Sequence, residues 1–302
     1  MTTTRMYPTL TSNGYTLDPR PSRMGDLVAS DPTTPIHVLR EQFAAQGYLW
    51  LKGLLPRQKV LDFRGRFFAS LADAGLLKAG TDPRDGIYAG SGEDNQRIAK
   101  TMHEIVRWSA YESFCLQEPI WGFYERLFEG APYLHKRKLI RYTKPHDASS
   151  TGAHYDLVYL RAGTDRVATS WIPIGDCPVH MGGLVYLEHS DRVGREMEKE
   201  FSAQNAHLSR EEQISAYNKS MSATGWLTKD LPALADKVDA RWLVADYEAG
   251  DMVIHSAYMI HAATTNDTTD GVMRLSTDIR FQRVSDEVDV RWNSHWSMDD
   301  ML

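Results

Sequence analysis

The sequence predicts an α+β chain, helical in its first part and folded as an antiparallel sandwich or barrel in its second. Two observations carry this. Between residues 35 and 134 apolar residues recur mainly at helical spacing, and from about 135 the texture changes to short strand-like runs separated by turn residues. Helices followed by strands, rather than the two in alternation, speak against parallel βαβ units. With 302 residues the chain can bury a substantial core. No internal repeat or low-complexity linker divides it, so one unit over 1–302 is expected.

The elements follow in order. Residues 1–34 carry Thr, Pro, Ser and Gly with little periodicity and should run over the surface as an extended arm. "TPIHVLREQFAAQGYLWL" opens at a Thr-Pro signal, sets Ile36, Leu39, Phe43 and Ala44 at helical spacing, and ends at Gly47. "YLWLKG" is a short strand. "LLPRQKVLDFRGRFFASLADAGLL" is a second amphipathic helix opened by a proline, and "IVRWSAYESF" and "IWGFYERLF" read as buried helices. The runs "HKRKLIRYTK", "AHYDLVYLRA", "VATSWIPIGD", "GGLVYLEHS", "GDMVIHSAYMIHAA" and "VMRLSTDIRFQRV" are the strands, within a core over 135–292. Residues 192–248 are too many for a bare loop. There Ser209 and Glu212 form a capping box ahead of "EEQISAYNKSM", and "LPALADKV" is a second helix, so a helical insert is expected. It either packs on the barrel wall or folds over its open end, where "ATGWL" would offer Trp226 as an apolar wall.

Composition narrows the function. Hydrophobic residues make up 42% and charged residues 25%, and the formal charge is -6. That leaves no basic footprint for nucleic acid or an anionic membrane. Two cysteines without a CxxC motif form no disulfide framework. No apolar leader or run of membrane-spanning length is visible. A soluble, cytoplasmic protein is expected, a monomer or weak homo-oligomer whose partner is a small molecule.

"TGAHYDLVYL" (151–160) sets His154 and Asp156 two residues apart at the start of an apolar run. Read as a strand, it aims both side chains from one face. A second such pair, His189 and Asp191, lies where "GGLVYLEHS" gives way to a polar segment, so Asp191 should be solvated. A metal needs a further ligand, and "GDMVIHSAYMIHAATTN" supplies His255 and His261. Two imidazoles and one carboxylate on one face of an octahedral ion leave three positions open, which suits a non-haem Fe(II) oxygenase. Zinc in the same ligand set is the competing assignment. On an open Fe(II) face 2-oxoglutarate chelates through its keto and C1 carboxylate oxygens, leaving one position for O2. Its far carboxylate calls for an arginine fork. "VMRLSTDIRFQ" provides Arg274 and Ser276 on one face, with Arg280 on the same parity.

Taken in order, "HYD", "SWIPIGDCPVHMGGLVYLEHSDR", "GDMVIHSAYMIHAATTN" and "RLSTDIRFQ", with the N-terminal "FAAQGYLWLKGLLPRQKVLDF", resemble the phytanoyl-CoA dioxygenase family of Fe(II)/2-oxoglutarate oxygenases. The resemblance implies a double-stranded β-helix (a cupin-like jelly roll) from about 135 to 290, braced by the N-terminal helices. It implies His154, Asp156 and His261 as iron ligands and Arg274 as the partner of the 2-oxoglutarate C5 carboxylate. Trp171 would line the cosubstrate pocket. Thr264 stands beside Ala263, where the family often has a small hydroxyl residue, and joins Ser276 as a cosubstrate contact. His189 would be structural and His255 not a ligand, while His180 stands where Glu or Asn is common and is a candidate substrate contact. The polar "NDTTDG" lengthens the turn before Arg274 and leaves Arg280 as the second candidate for its role.

The implied cofactors are Fe(II), 2-oxoglutarate as cosubstrate and O2, with ascorbate needed in vitro. The implied reaction is oxidation of an unactivated C–H bond of a small molecule of specialised metabolism, by hydroxylation, desaturation or ring closure. The carboxylate of Asp156 argues against halogenation. Acyl-CoA hydroxylation is the alternative within the family. A zinc hydrolase and a non-catalytic jelly-roll binding protein are the alternatives outside it.

Overall fold

The computed structural model describes residues 7–214 and 225–297. The chain opens with four short strands: β1 (Thr11–Ser12), β2 (Tyr15–Thr16), β3 (Met24–Asp26) and β4 (Ala29–Ser30). Helix α1 (Ile36–Gln46) ends at Gly47, whose φ of 77° lets its N–H bond back to the Phe43 carbonyl. Next come β5 (Tyr48–Leu51), α2 (Arg57–Ala69) behind Pro56, α3 (Asn95–Ile105) capped by the Asp94 side chain, α4 (Ser109–Cys115) and α5 (Glu118–Phe128). Strands β6 (Pro132–Leu134) and β7 (Leu139–Thr143) lead into α6 (Leu157–Leu160) and β8 (Ala168–Pro173). After β9 (Leu184–Leu187) comes α7 (Ser190–Gln204), and a further helix spans Leu231–Val238. Strands β10 (Trp242–Val244), β11 (Met252–Ser256), β12 (His261–Ala263) and β13 (Arg274–Arg283) complete the sheets.

The strands form a seven-stranded sheet, β4-β5-β11-β8-β13-β6 with β7 also on β13, and a four-stranded sheet, β12-β9-β10-β3. Both faces of each sheet are covered, so the strands read as nearly continuous apolar runs. On the outer face of the larger sheet, Ile172, Ile254, Leu275, Ile279 and Phe281 pack in one cluster with Phe67, Tyr111, Phe123 and Tyr124 of α2, α4 and α5. Between the sheets, Trp50, Trp171 and Val253 meet Leu184, Tyr186 and Leu243. Outside the smaller sheet, Val185, Leu187, Trp242 and Ala262 are covered by Phe201, Leu231 and Ala235 of the insert and by Leu10, Leu17 and Met24. This jelly-roll interior is where the candidate site lies.

The structure corrects three expectations. Residues 157–160 are a helical turn, not a strand, and Asp156 has helical backbone angles (φ -69°, ψ -27°). Four apolar residues in a row cannot be told from a buried helical turn by periodicity. Residues 7–34 are more than a surface arm: β3 pairs parallel with β10, β4 pairs parallel with β5, and Leu10, Leu17, Met24 and Leu27 are buried. Pairings of two or three residues leave no periodic trace. The polar segment after Glu188 is the fifteen-residue helix α7, and Asp191 on it is largely buried, held by Arg195 at 2.7 Å and by the Ser256 hydroxyl. The Ser209–Glu212 capping box is present in both directions (2.9 and 3.3 Å). The rest of its expected helix, from residue 215, lies outside the described residues, as do Ala223 and Thr224.

Candidate metal centre

Backbone pairing builds the centre. His154 and His261 face each other in an antiparallel bridge, exchanging N–H···O bonds of 3.0 and 2.9 Å. Their rings come together at 4.3 Å between centroids. Each imidazole commits Nδ1 to a carbonyl two residues back, His154 to Gly152 and His261 to Met259, both at 2.9 Å. Those carbonyls can only accept, so each Nδ1 carries the proton and each Nε2 keeps its lone pair. Asp156 stands at the N-cap of α6 yet makes no capping bond with its side chain. The carboxylate turns inward instead, with Oδ1 at 3.8 Å from His154 Nε2 and 4.0 Å from His261 Nε2. Among the described residues, His154, Asp156 and His261 form a group able to hold a metal ion, with one donor atom from each inside a 4.8 Å span.

The protonation states suit a cation. Burial lowers the pKa of His154, and burial together with the neighbouring imidazoles lowers that of His261 well below its usual value. Burial opposes the charge on Asp156, but Arg280 and the imidazoles of His255 and His261 outweigh it and hold the carboxyl well below its usual range. The donor set is therefore two neutral imidazoles and one carboxylate, with the hard oxygen and borderline nitrogen that Fe(II) accepts.

The larger sheet supplies the surroundings. Along β13, Leu275, Ile279 and Phe281 belong to the outer cluster, so alternation turns Arg274, Ser276, Asp278 and Arg280 to the interior. Arg280 donates to Asp156 Oδ1 at 3.2 Å. Arg274 donates to the Gly182 carbonyl at 2.7 Å and to Thr143 Oγ1 at 2.8 Å, while its Nε is buried without a hydrogen-bond partner among the described residues. Thr264 Oγ1 is likewise buried and has no hydrogen-bond partner among the described residues. Gly182 makes this corner possible: its φ is 78°, and a Cβ there would lie 2.6 Å from the Thr264 carbonyl oxygen. A buried guanidinium with an unspent N–H is a poor resting state for a protein interior and a good fit for a carboxylate. Trp171 is buried on the inner face of β8, two residues from Thr169, and Ser276 is buried between Arg274 and Asp278.

Of the sequence candidates, His154, Asp156 and His261 come together, Arg274, Ser276 and Trp171 lie on the inner face of the larger sheet, and Thr264 is buried just past β12. Arg280, the second candidate for the role of Arg274, donates to Asp156 itself at 3.2 Å. His180 is exposed, and His189 is exposed with a left-handed backbone (φ 57°) at the start of α7. Sequence reasoning missed Thr169, whose hydroxyl bonds Asp156 Oδ2, and Tyr186, which bonds His255 Nδ1 at 2.9 Å. The alternation that exposes Trp171 to the interior also exposes Thr169, so that signal was present. It missed as well the clamp on Tyr155, whose hydroxyl donates at 2.8 Å to Glu198 of α7. The insert also reaches the centre at Trp226, which lies so close to Gly152 that a Cβ there would be 2.8 Å from its ring.

Comparison with known proteins agrees with this geometry. Residues 43–275 match the family model described as phytanoyl-CoA dioxygenase (PhyH). The chain is 25% identical over 245 residues to a 1-deoxypentalenic acid 11-beta-hydroxylase of Streptomyces arenae, covering 79% of this chain and 78% of that protein. It is 25% identical over 249 residues to the enzyme of the same name from Streptomyces exfoliatus, with the same coverage. In fold it resembles EctD from S. alaskensis, whose structure holds 2-oxoglutarate and 5-hydroxyectoine (TM-score 0.56, 13% identity, 95% of this chain and 89% of that one). It also resembles SnoK, an alpha-ketoglutarate-dependent carbocyclase from nogalamycin biosynthesis (TM-score 0.53, 19% identity, 87% and 89%). These matches leave no place for the zinc-hydrolase and binding-protein alternatives. The protein is an oxygenase that uses iron, 2-oxoglutarate and O2 on a small molecule, and the chain belongs to the phytanoyl-CoA dioxygenase family.

Proposed function

We propose that His154, Asp156 and His261 hold Fe(II), that Arg274 with Thr264 and Ser276 receives the C5 carboxylate of 2-oxoglutarate, and that the enzyme hydroxylates an unactivated C–H bond of a small molecule of specialised metabolism. The observation that carries the reading is the pair of Nε2 atoms freed by backbone-bonded Nδ1 groups and converging on a carboxylate that declines its capping role. Iron and 2-oxoglutarate, when bound, supply the activation of O2 and, with loss of CO2 to give succinate, an oxidant able to break a C–H bond.

The residues do the rest. The triad would hold the ion by three donors and leave room beside it for the cosubstrate and O2. Arg274 presents a fixed, always-charged fork already anchored by Gly182 and Thr143, so little side-chain freedom is lost on binding a carboxylate. Trp171 seals the cosubstrate side against water. Trp226, over Gly152, and Tyr159, 5.8 Å from the His154 ring, form an apolar wall on the substrate side. A wall of this kind keeps water from the reacting centre. The names of the curated relatives favour a hydroxylase of a small carbon skeleton over one of acyl-CoA thioesters.

The test is succinate formation from 2-oxoglutarate with Fe(II) and ascorbate, in air and without O2, while a metabolite collection is screened by mass spectrometry for a product heavier by one oxygen. O2-dependent succinate release coupled to such a product is expected. Products formed without O2 would overturn the reading, and acyl-CoA as the preferred substrate would overturn its substrate half.

A further inference from the structure

Three residues on neighbouring strands of the larger sheet meet the one carboxylate of the centre. Thr169 on β8 is paired in register with His255 on β11 and with Arg280 on β13. The row is buried, with His255, Thr169 and Arg280 at 0%, 2% and 4% exposure and Asp156 at 1%. All three side chains end at Asp156. The Thr169 hydroxyl donates to Oδ2, His255 Nε2 faces Oδ2 at 3.4 Å, and Arg280 Nη2 donates to Oδ1 at 3.2 Å. An ionised carboxylate only accepts, so the proton of His255 must sit on Nε2 for that contact to attract. Its Nδ1 then has a lone pair to fill, and the Tyr186 hydroxyl fills it at 2.9 Å. On its other side the Arg280 guanidinium lies 4.4 Å from the Trp292 ring, and its Nε and Nη1 make no hydrogen bond among the described residues. The Thr169 hydroxyl and the His255 Nε2–H thus both lie on the Oδ2 side, the imidazole at 3.4 Å and short of a hydrogen bond among the described residues, while Oδ1 faces the two ligand imidazoles.

We infer that Thr169, His255 and Arg280 are positioning residues that form a preorganised carboxylate cradle, which fixes Asp156 so that it ligates the metal through Oδ1 alone, with Tyr186 setting the tautomer of His255. The inference rests on the triad assignment proposed above. Ligation by one oxygen of Asp156 would leave the metal free to take the cosubstrate and O2. A carboxylate free to rotate could chelate with both oxygens and compete with them. Partners of metal ligands typically matter by roughly 10–100-fold in metal affinity or activity.

The experiment uses the full chain and Co(II) as the probe, read by titration and by its visible absorption. Thr169→Val keeps the shape of the side chain but removes the donor, and a loss of about 10-fold in Co(II) affinity with an altered Co(II) spectrum is expected. Thr169→Ser should restore both. Arg280→Gln should also weaken Co(II), while the affinity for 2-oxoglutarate at saturating Co(II) stays within a few-fold. In Asp156→Gly the cradle is left aimed at vacated space, so millimolar formate should recover part of the Co(II) affinity. In Asp156→Gly/Thr169→Val it should not. Unchanged Co(II) affinity and spectrum in folded Thr169→Val, or equal formate rescue with and without Thr169, would overturn the cradle. So would a loss in Arg280→Gln that appears only in 2-oxoglutarate affinity. Failure of the unmodified protein to bind Co(II) would instead overturn the triad, so the two failures are distinguishable.

Discussion

Asp156 sits where a short helix ordinarily takes an aspartate side chain as its cap, and the structure turns that side chain away from the helix. Capping is worth about 1 kcal/mol, so the local preference is outweighed by the donors of Arg280 and Thr169. Arg274 shows the converse case, a charge buried with fewer partners than it has donors. Its substitution by Ala should weaken 2-oxoglutarate binding by roughly 2–5 kcal/mol, about 30-fold to several thousand-fold, while Co(II) affinity changes little. Arg274→Lys should recover only part, because a point charge cannot form the fork. Calorimetric titration of each ligand separates the two effects, and a matched loss of metal affinity would count against the assignment. His135 makes a pH prediction. Burial pushes its imidazolium down to about 4 from an ordinary value of 6.5, although Gln282 at 2.8 Å favours the charged form. The unfolded chain then binds more protons between these values, so the stability His135 contributes is complete above about pH 6.5 and is lost as pH falls towards 4. That loss amounts to as much as about 3 kcal/mol. Urea midpoints measured from pH 7 to pH 4 should fall less steeply in His135→Gln than in the parent protein.

At the scale of elements, what was legible was what repeats. The helices α1, α2, α4 and α5, and the strands β5, β7, β8, β9, β11 and β13, announce themselves by periodicity, by a proline at the start or by a glycine at the end. The grouping of His154, Asp156 and His261 was legible as a spaced set of chemically suitable residues, and the resemblance they carry made the set specific. What stayed hidden depends on partners far away in sequence. The bend at Asp156 exists because Leu157 N–H bonds the Ala257 carbonyl at 2.8 Å, a contact that no local pattern encodes. Helix α7 is another such case, since its role shows only in what Glu198 touches. Glu198 accepts from Tyr155, the residue between two of the proposed ligands, and forms a largely buried pair with Arg161. The insert therefore holds the ligand loop from behind at α7 and pairs with it in front, where Ala153 N–H bonds the Thr228 carbonyl at 2.9 Å. Removing one member of a buried ion pair leaves the other charge uncompensated and costs about 3–5 kcal/mol. Glu198→Gln should lower stability by that order in urea unfolding and also weaken Co(II) binding, because the strain falls on Tyr155. A stability loss with metal affinity intact would mean that α7 is packing alone.

The whole molecule is two sheets whose facing sides share one charged centre. His261 belongs to β12 of the smaller sheet, while Thr169, His255 and Arg280, which grip Asp156, belong to the larger one. A metal held by His154, Asp156 and His261 is thus a tie between the sheets, made at the place where each would otherwise bury charge or unsatisfied nitrogen against the other. Three donors kept together without a cation are mutually unfavourable: the imidazoles lower each other's pKa, and the carboxylate depends on Arg280. Binding to the folded state alone stabilises it by RT ln(1 + [L]/Kd), about 2.7 kcal/mol at a hundredfold excess over Kd. Co(II) should therefore raise the melting temperature of the chelator-treated protein by several degrees, with a further rise when 2-oxoglutarate is added. 2-Oxoglutarate without metal should give a much smaller shift, since only the Arg274 end of its site is then complete. In His261→Ala the Co(II) shift should vanish and the protein should melt near or above the metal-free parent, because an imidazole that burial keeps uncharged has been removed from a crowded interior. If Co(II) stabilises His261→Ala as strongly as the parent, the ion binds elsewhere and the tie between the sheets is not made at this centre.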